Sequence, residues 1–131
     1  MKHQERTAQQ KELVLATQEK FKQDDRRIQE ILEYINDNLN EHLSVQKIAK
    51  QFFISREYLC SYFKKHTGET LFSYIRRQRL NYAVYLLENT DKKVIDICEL
   101  SGFNAMSTFL SDFKNEFGMT PSQMRKDKTI S

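Results

Sequence analysis

The sequence predicts an all-α fold: two copies of one helix-turn-helix unit with a long helix between them. Three observations carry this. The 131 residues include only three Gly and one Pro, too few for the turns of a sandwich or barrel, and alternating β-branched runs are scarce. Apolar residues recur at helical spacing over most of the chain. Two segments, offset by 49 to 50 residues, resemble each other. A chain of this length makes one domain, or two very small ones sharing a core.

Residues 1–26 are rich in Gln, Lys and Glu and sparsely apolar. Val14, Phe21, Ile28 and Ile35 sit seven apart. Of their partner positions Gln18, Asp25, Leu32 and Leu39, only the last two are apolar, so a coiled-coil seam is half formed. Two readings stay open here: a solvated N-terminal helix, or the stub of a linker from another domain. From Asp24 the pattern firms up. Ile28, Ile31, Leu32, Ile35 and Leu39 mark an amphipathic helix, with Asp24-Asp25 at the end where negative charge is favoured. Asn38, Asn40 and His42 end it.

The first repeat is Ser44–Gly68, SVQKIAKQFFISREYLCSYFKKHTG, and the second is Lys93–Gly118, KVIDICELSGFNAMSTFLSDFKNEFG. Val45, Ile48 and Ala49 match Val94, Ile97 and Cys98 at an offset of 49, whereas Leu59, Phe63, Lys64 and Gly68 match Phe109, Phe113, Lys114 and Gly118 at 50. The one-residue slip falls where a turn tolerates it. Each copy reads as a short helix, a tight turn and a longer helix closing on Gly, the expected residue just past a helix end. That is the pattern of a helix-turn-helix. In the second turn Gly102 permits a positive φ and Phe103 tucks beneath both helices. Ser55 and Asn104 are expected to cap the projecting helices.

Between the repeats, Thr70–Asn89 carries apolar residues at Leu71, Phe72, Ile75, Leu80, Ala83, Val84, Leu86 and Leu87 without Gly or Pro. This is one uninterrupted helix, opened by Thr70 and stopped by Asn89-Thr90-Asp91. After the second repeat, Thr120-Pro121-Ser122-Gln123 supplies a cap, Pro at the first helical position and Gln at the third. It starts a last helix running to Lys126. The expected layout is therefore residues 1–26 as helix or linker and 27–127 as the folded domain. Within the domain the units are 44–67 and 93–117, the central helix 70–89 and the last helix 121–126.

Composition narrows the function. No apolar run approaches the ~20 residues of a membrane span, and no signal-peptide pattern opens the chain. Cys60 and Cys98 make neither a disulfide framework nor a zinc site, and His3, His42 and His66 lie apart from them. No metal or other cofactor is expected, and no nucleophile–base pair or Gly-rich phosphate loop suggests an enzyme. The expected setting is cytoplasmic, with reduced thiols. The net charge of +3 hides an asymmetry: residues 44–80 hold eight basic and two acidic side chains, +6, while 1–43 balance at −2 and 81–131 at −1. A cationic third inside a near-neutral chain suits a polyanionic partner.

In this register the chain resembles the C-terminal DNA-binding domain of the AraC/XylS family of bacterial transcription regulators. The resemblance runs from Ile28 to Lys126. Its most specific part is Ile97, Gly102-Phe103, Ser107, Phe109, Phe113-Lys114, Phe117-Gly118, Thr120-Pro121-Ser122 and Arg125. Upstream, Ser55, Tyr58-Leu59, Phe63-Lys64-Lys65, Gly68, Arg79, Ala83 and Leu86-Leu87 also fit. The resemblance implies seven helices: two homeodomain-like helix-turn-helix units joined by a long central helix, each placing a recognition helix in a major groove.

The resemblance also implies roles by position. Base-facing residues would be Arg56, Glu57, Cys60 and Ser61 in the first unit and Met106, Ser107, Thr108 and Ser111 in the second. Phosphate contacts would be Lys47, Lys64, Lys65, Arg76, Lys114 and Arg125. Members often carry Arg three residues before the Phe-Lys pair of the first recognition helix, and again at the position of Ser111. This chain has Cys60-Ser61-Tyr62 and Ser111, so two strong guanine readers are missing. An A·T-rich site read through shape and thymine methyls is the expectation. Arg79 reads as a structural tie, Cys98 as a packed small group, and His66 as a cation near a helix end. The expected partners are promoter or operator double-stranded DNA and RNA polymerase. Two readings of the signal stay open: constitutive action through abundance, or a linker from a sensor or receiver domain beyond this stretch. A dimer through residues 1–40 would draw on the half-formed seam. The competing reading is a protein-interaction module, a helix-turn-helix that has lost its base readers and docks to a regulator or polymerase.

Overall fold

The computed structural model describes the backbone of residues 22–130 and the side chains of residues 26–127. Among them are seven helices and no strand: α1 (Lys22–Asp37), α2 (Val45–Gln51), α3 (Arg56–Thr67), α4 (Leu71–Asn89), α5 (Val94–Leu100), α6 (Met106–Phe117) and α7 (Pro121–Ile130). The reading of residues 1–21 as helix or linker, and the first half of the heptad seam, lie outside the described residues. The chain divides into two compact bodies, Met1–Asp37 and Asn38–Ser131. In the first, α1 is described from Lys22, so Asp24 and Asp25 lie within it. It buries Ile28, Ile31 and Ile35 along one stripe, as the three-and-four spacing requires.

In the second body most helix starts have a local cause. Ser44 Oγ accepts the Lys47 N–H at 3.0 Å to open α2, and Ser55 Oγ accepts the Tyr58 N–H at 3.0 Å to open α3. Thr70 Oγ1 accepts the Ser73 N–H at 3.1 Å to open α4. Each such cap contributes about 1 kcal/mol. At α7 the reciprocal box forms as expected, with the Gln123 N–H on Thr120 Oγ1 and the Thr120 N–H on Gln123 Oε1. That helix runs to Ile130, beyond the expected end at Lys126. The expected cap at Asn104 is corrected. The residue before α6 is Ala105, with no side-chain cap bond. The repeat offset explains it: Asn104 is the extra residue of the second turn, and it pushes the helix start one place along.

The two turns share one hydrogen-bond pattern. In the first, the Phe53 N–H donates to Lys50 O and the Ile54 N–H to Ala49 O; in the second, Gly102 donates to Glu99 O and Phe103 to Cys98 O. This wiring puts one residue in the left-handed region. In the second turn that residue is Gly102, at φ +96°; in the first it is Phe53, at φ +59°. A non-glycine residue there costs about 1 kcal/mol.

Helix α4 packs against α3 on one side and against α5 and α7 on the other. Toward its start it buries Leu71 and Ile75, with the Tyr74 ring edge-on to Phe63 of α3 at 5.5 Å. Toward its end it buries Leu80, Ala83, Leu86 and Leu87 in one cluster with Ile97, Cys98, Phe109 and Phe113. Two arginines fasten this frame. Arg79 donates from Nε to Leu39 O at 3.0 Å and from Nη2 to Glu41 O at 2.8 Å. Arg125 donates to the carbonyls of Lys92 at 2.6 Å, Thr90 at 3.0 Å and Leu87 at 3.5 Å, pinning α7 to the end of α4 and the loop that follows it. Gly102 lies against the first tie. A Cβ there would stand 2.1 Å from Leu39 O and 2.6 Å from Arg79 Nε.

Candidate nucleic-acid interface

A helix shows one face to solvent when its other face is buried, and α3 follows that rule. Leu59, Tyr62 and Phe63 are buried, while Arg56, Glu57, Cys60, Ser61, Lys64 and Lys65 are exposed. Arg56, Glu57, Cys60 and Ser61 follow one another at steps of one, three and one, so they line a single face. Ser55 turns the chain into this helix with the first residues fully available. In α6, Phe109 and Phe113 are buried, and Ser107, Thr108, Ser111 and Lys114 are exposed. Met106 departs from expectation. It is half-buried and packs against the Phe109–Phe113 cluster, which leaves it a poor candidate for a thymine methyl. Leu110, absent from the expected set, is 37% exposed. The 50-residue offset places it where Cys60 stands in α3, and that offset could have found it.

The expected phosphate set sorts itself by what each cation already holds. Lys64, Lys65 and Lys114 are exposed, and the Lys47 ammonium is exposed with one long bond to His42 O at 3.4 Å. Arg76 stands 4.0 Å from Glu116 of α6 with both side chains partly exposed, a weak pairing. The Arg125 guanidinium already donates to three backbone carbonyls, those of Leu87, Thr90 and Lys92. Arg77 is paired with Glu69 and lies 5.6 Å above the Tyr74 ring. The bond to Glu69 raises its pKa. Burial lowers that of Arg79, yet both start so high that both stay charged. Cys98 is buried, which pushes its thiol pKa up, helped by the charge of Glu99. Cys60 is exposed.

The two helix-turn-helix units differ sharply in charge at equivalent exposed places. Lys47 and Lys50 of α2 correspond to Asp96 and Glu99 of α5, and Lys65 of α3 corresponds to Asn115 of α6. Arg56 corresponds to Met106, and only Lys64 keeps its charge, as Lys114. On α5, Ile95 is 63% exposed beside Asp96. A groove of about 540 Å³ there is lined by Glu41, His42, Ile95, Asp96, Glu99 and Met106. Among the described residues, no cluster of His, Cys, Asp or Glu is placed to hold a metal ion. No helix among them is long and apolar enough to cross a membrane.

Two helix-turn-helix units sharing one rigid helix, each with a polar recognition face, define a double helix-turn-helix DNA-binding module. Residues 48–127 match the family model described as a helix-turn-helix domain. The regulatory protein SoxS of Salmonella typhimurium is 35% identical over 98 residues, covering 75% of this chain and 92% of that protein. The Msm operon regulatory protein of Streptococcus mutans is 34% identical over 100 residues, 76% of this chain, but the chain spans only 36% of that longer relative. The crystal structure of a Chromobacterium violaceum transcriptional regulator with an AraC-type DNA-binding domain superposes with a TM-score of 0.72 at 31% identity. The match covers 78% of this chain and 91% of that one. The chain belongs to the AraC/XylS family of sequence-specific DNA-binding transcription regulators, which are not enzymes.

Proposed function

We propose that the chain sets α3 and α6 into successive major grooves of operator DNA, with the first unit as electrostatic anchor. The observation that carries this is the charge difference at equivalent exposed positions: Lys47, Lys50 and Lys65 against Asp96, Glu99 and Asn115. Phosphate contacts hold a protein in register without reading sequence. Lys47, Lys50, Lys64 and Lys65 supply them in the first unit and Lys114 in the second. Arg76 joins them only by giving up Glu116. Base edges face Arg56, Glu57, Cys60 and Ser61 in one groove, and Ser107, Thr108, Leu110 and Ser111 in the other. With short hydroxyls, a thiol and a leucine where arginines could stand, the preferred site is A·T-rich.

The acidic and apolar face of α5 is ill suited to phosphate and is offered instead to protein, RNA polymerase being the candidate at a promoter. The setting is the bacterial cytoplasm. Reversing charge at Lys64 and Lys65 together weakens duplex binding by about a hundredfold and flattens the slope of log K against log salt by about 2. Reversal at Lys114 weakens it by less than about tenfold. Equal losses would refute the asymmetry. Binding to a regulator or polymerase with no salt-dependent duplex binding would favour a protein-docking module instead.

A further inference from the structure

We propose that Phe53 is a DNA-contacting residue, its ring packing on the deoxyribose edge of the strand that borders the groove entered by α3. The inference rests on the reading above and adds a residue to it. Phe53 is 94% exposed, the most exposed of the large apolar side chains described. A ring so exposed gains almost nothing from the fold. Its backbone is also in the left-handed region, at φ +59°, in a turn wired identically to the one that holds Gly102. Both local conformation and packing therefore argue against Phe at this place. A residue that contradicts both is expected where function lies outside the folded chain.

Position says what the ring would meet. Phe53 lies between Lys47 and Lys50 of α2 and Ser55-Arg56 at the start of α3. In helix-turn-helix docking the first helix crosses the sugar-phosphate backbone while the start of the second reaches base edges. We take the turn that joins them to come down beside the sugars of that strand. A deoxyribose ring offers C–H surface, which a phenyl covers without hydrogen bonds and without distinguishing bases. The contact is thus a positioning one that also keeps water from the neighbouring lysine–phosphate pairs. Gly102 cannot play this part in the second unit, because Leu39 O and Arg79 leave no room for a side chain.

The test compares Phe53→Gly and Phe53→Leu in the whole chain, by thermal unfolding and by anisotropy with a labelled duplex recovered from a random pool. Phe53→Gly relieves the backbone, so Tm rises by about 4 °C. Binding weakens by about tenfold while the salt slope stays unchanged, because no phosphate contact is lost. Phe53→Leu keeps apolar bulk and stays within about threefold of the parent. Two results would overturn the proposal: binding of Phe53→Gly within about twofold of the parent, or equal losses for Gly and Leu. Failure of the unaltered chain to bind any recovered duplex would instead overturn the DNA reading beneath it.

Discussion

Gly102 is where three separate parts of the fold meet: the turn before α6, the Leu39 carbonyl and the Arg79 guanidinium. Its φ of +96° acts together with the crowding, since Leu39 O lies 2.1 Å from the place a Cβ would take. Gly68 and Gly118 share the positive φ, at +83° and +78°, but open space surrounds them. Gly102→Ala is therefore expected to cost more than about 3 kcal/mol, and Gly68→Ala about 1 kcal/mol, in urea unfolding. Similar losses for both would mean that the close approach relaxes freely. The positive φ is legible in the sequence, because Gly in a helix-turn-helix turn signals it locally. The crowding is not, since Leu39 and Arg79 lie far off along the chain.

Among the elements, α7 shows how a side chain's destination escapes local reasoning. Its start is legible because a capping box is written in four consecutive residues. The end of Arg125 is not, because its three acceptors are carbonyls of Leu87, Thr90 and Lys92. Residue type and position alone make an arginine of a DNA-binding module look like a phosphate contact. Arg125→Met should lower stability by about 2 kcal/mol, since it leaves partly buried carbonyls without donors. The salt slope of DNA binding should stay as it was. A slope reduced by about 1 with stability intact would return Arg125 to the phosphate set. The recognition faces of α3 and α6 are readable from helical period, because Phe63, Phe109 and Phe113 fix which side turns inward. Met106 escapes that reasoning: at the first position of a helix, period does not say whether a long side chain folds back onto the core.

At the scale of the whole molecule, the two helix-turn-helix units share α4. Nineteen residues at ~1.5 Å each give it a length of ~28 Å, against ~34 Å between successive major grooves on one face of B-DNA. That shortfall predicts DNA bent toward the protein, measurable as a mobility difference in a circular-permutation gel shift, or one helix that inserts poorly. An unbent complex with both grooves protected would count against it. The double helix-turn-helix is visible in the sequence because the duplication repeats its apolar pattern. The unequal character of the halves is visible there only as a block charge, until equivalent positions can be paired.

Helix α4 is one unbroken helix that carries buried residues from Leu71 and Ile75 near its start to Leu80, Ala83, Leu86 and Leu87 further on, so on the two-groove proposal it would act as a ruler. An operator with one base pair inserted between its half-sites would carry the second half around the duplex axis, out of line with α6. A hinged regulator could follow that rotation; on the proposed reading this one is expected to hold by its cationic half alone.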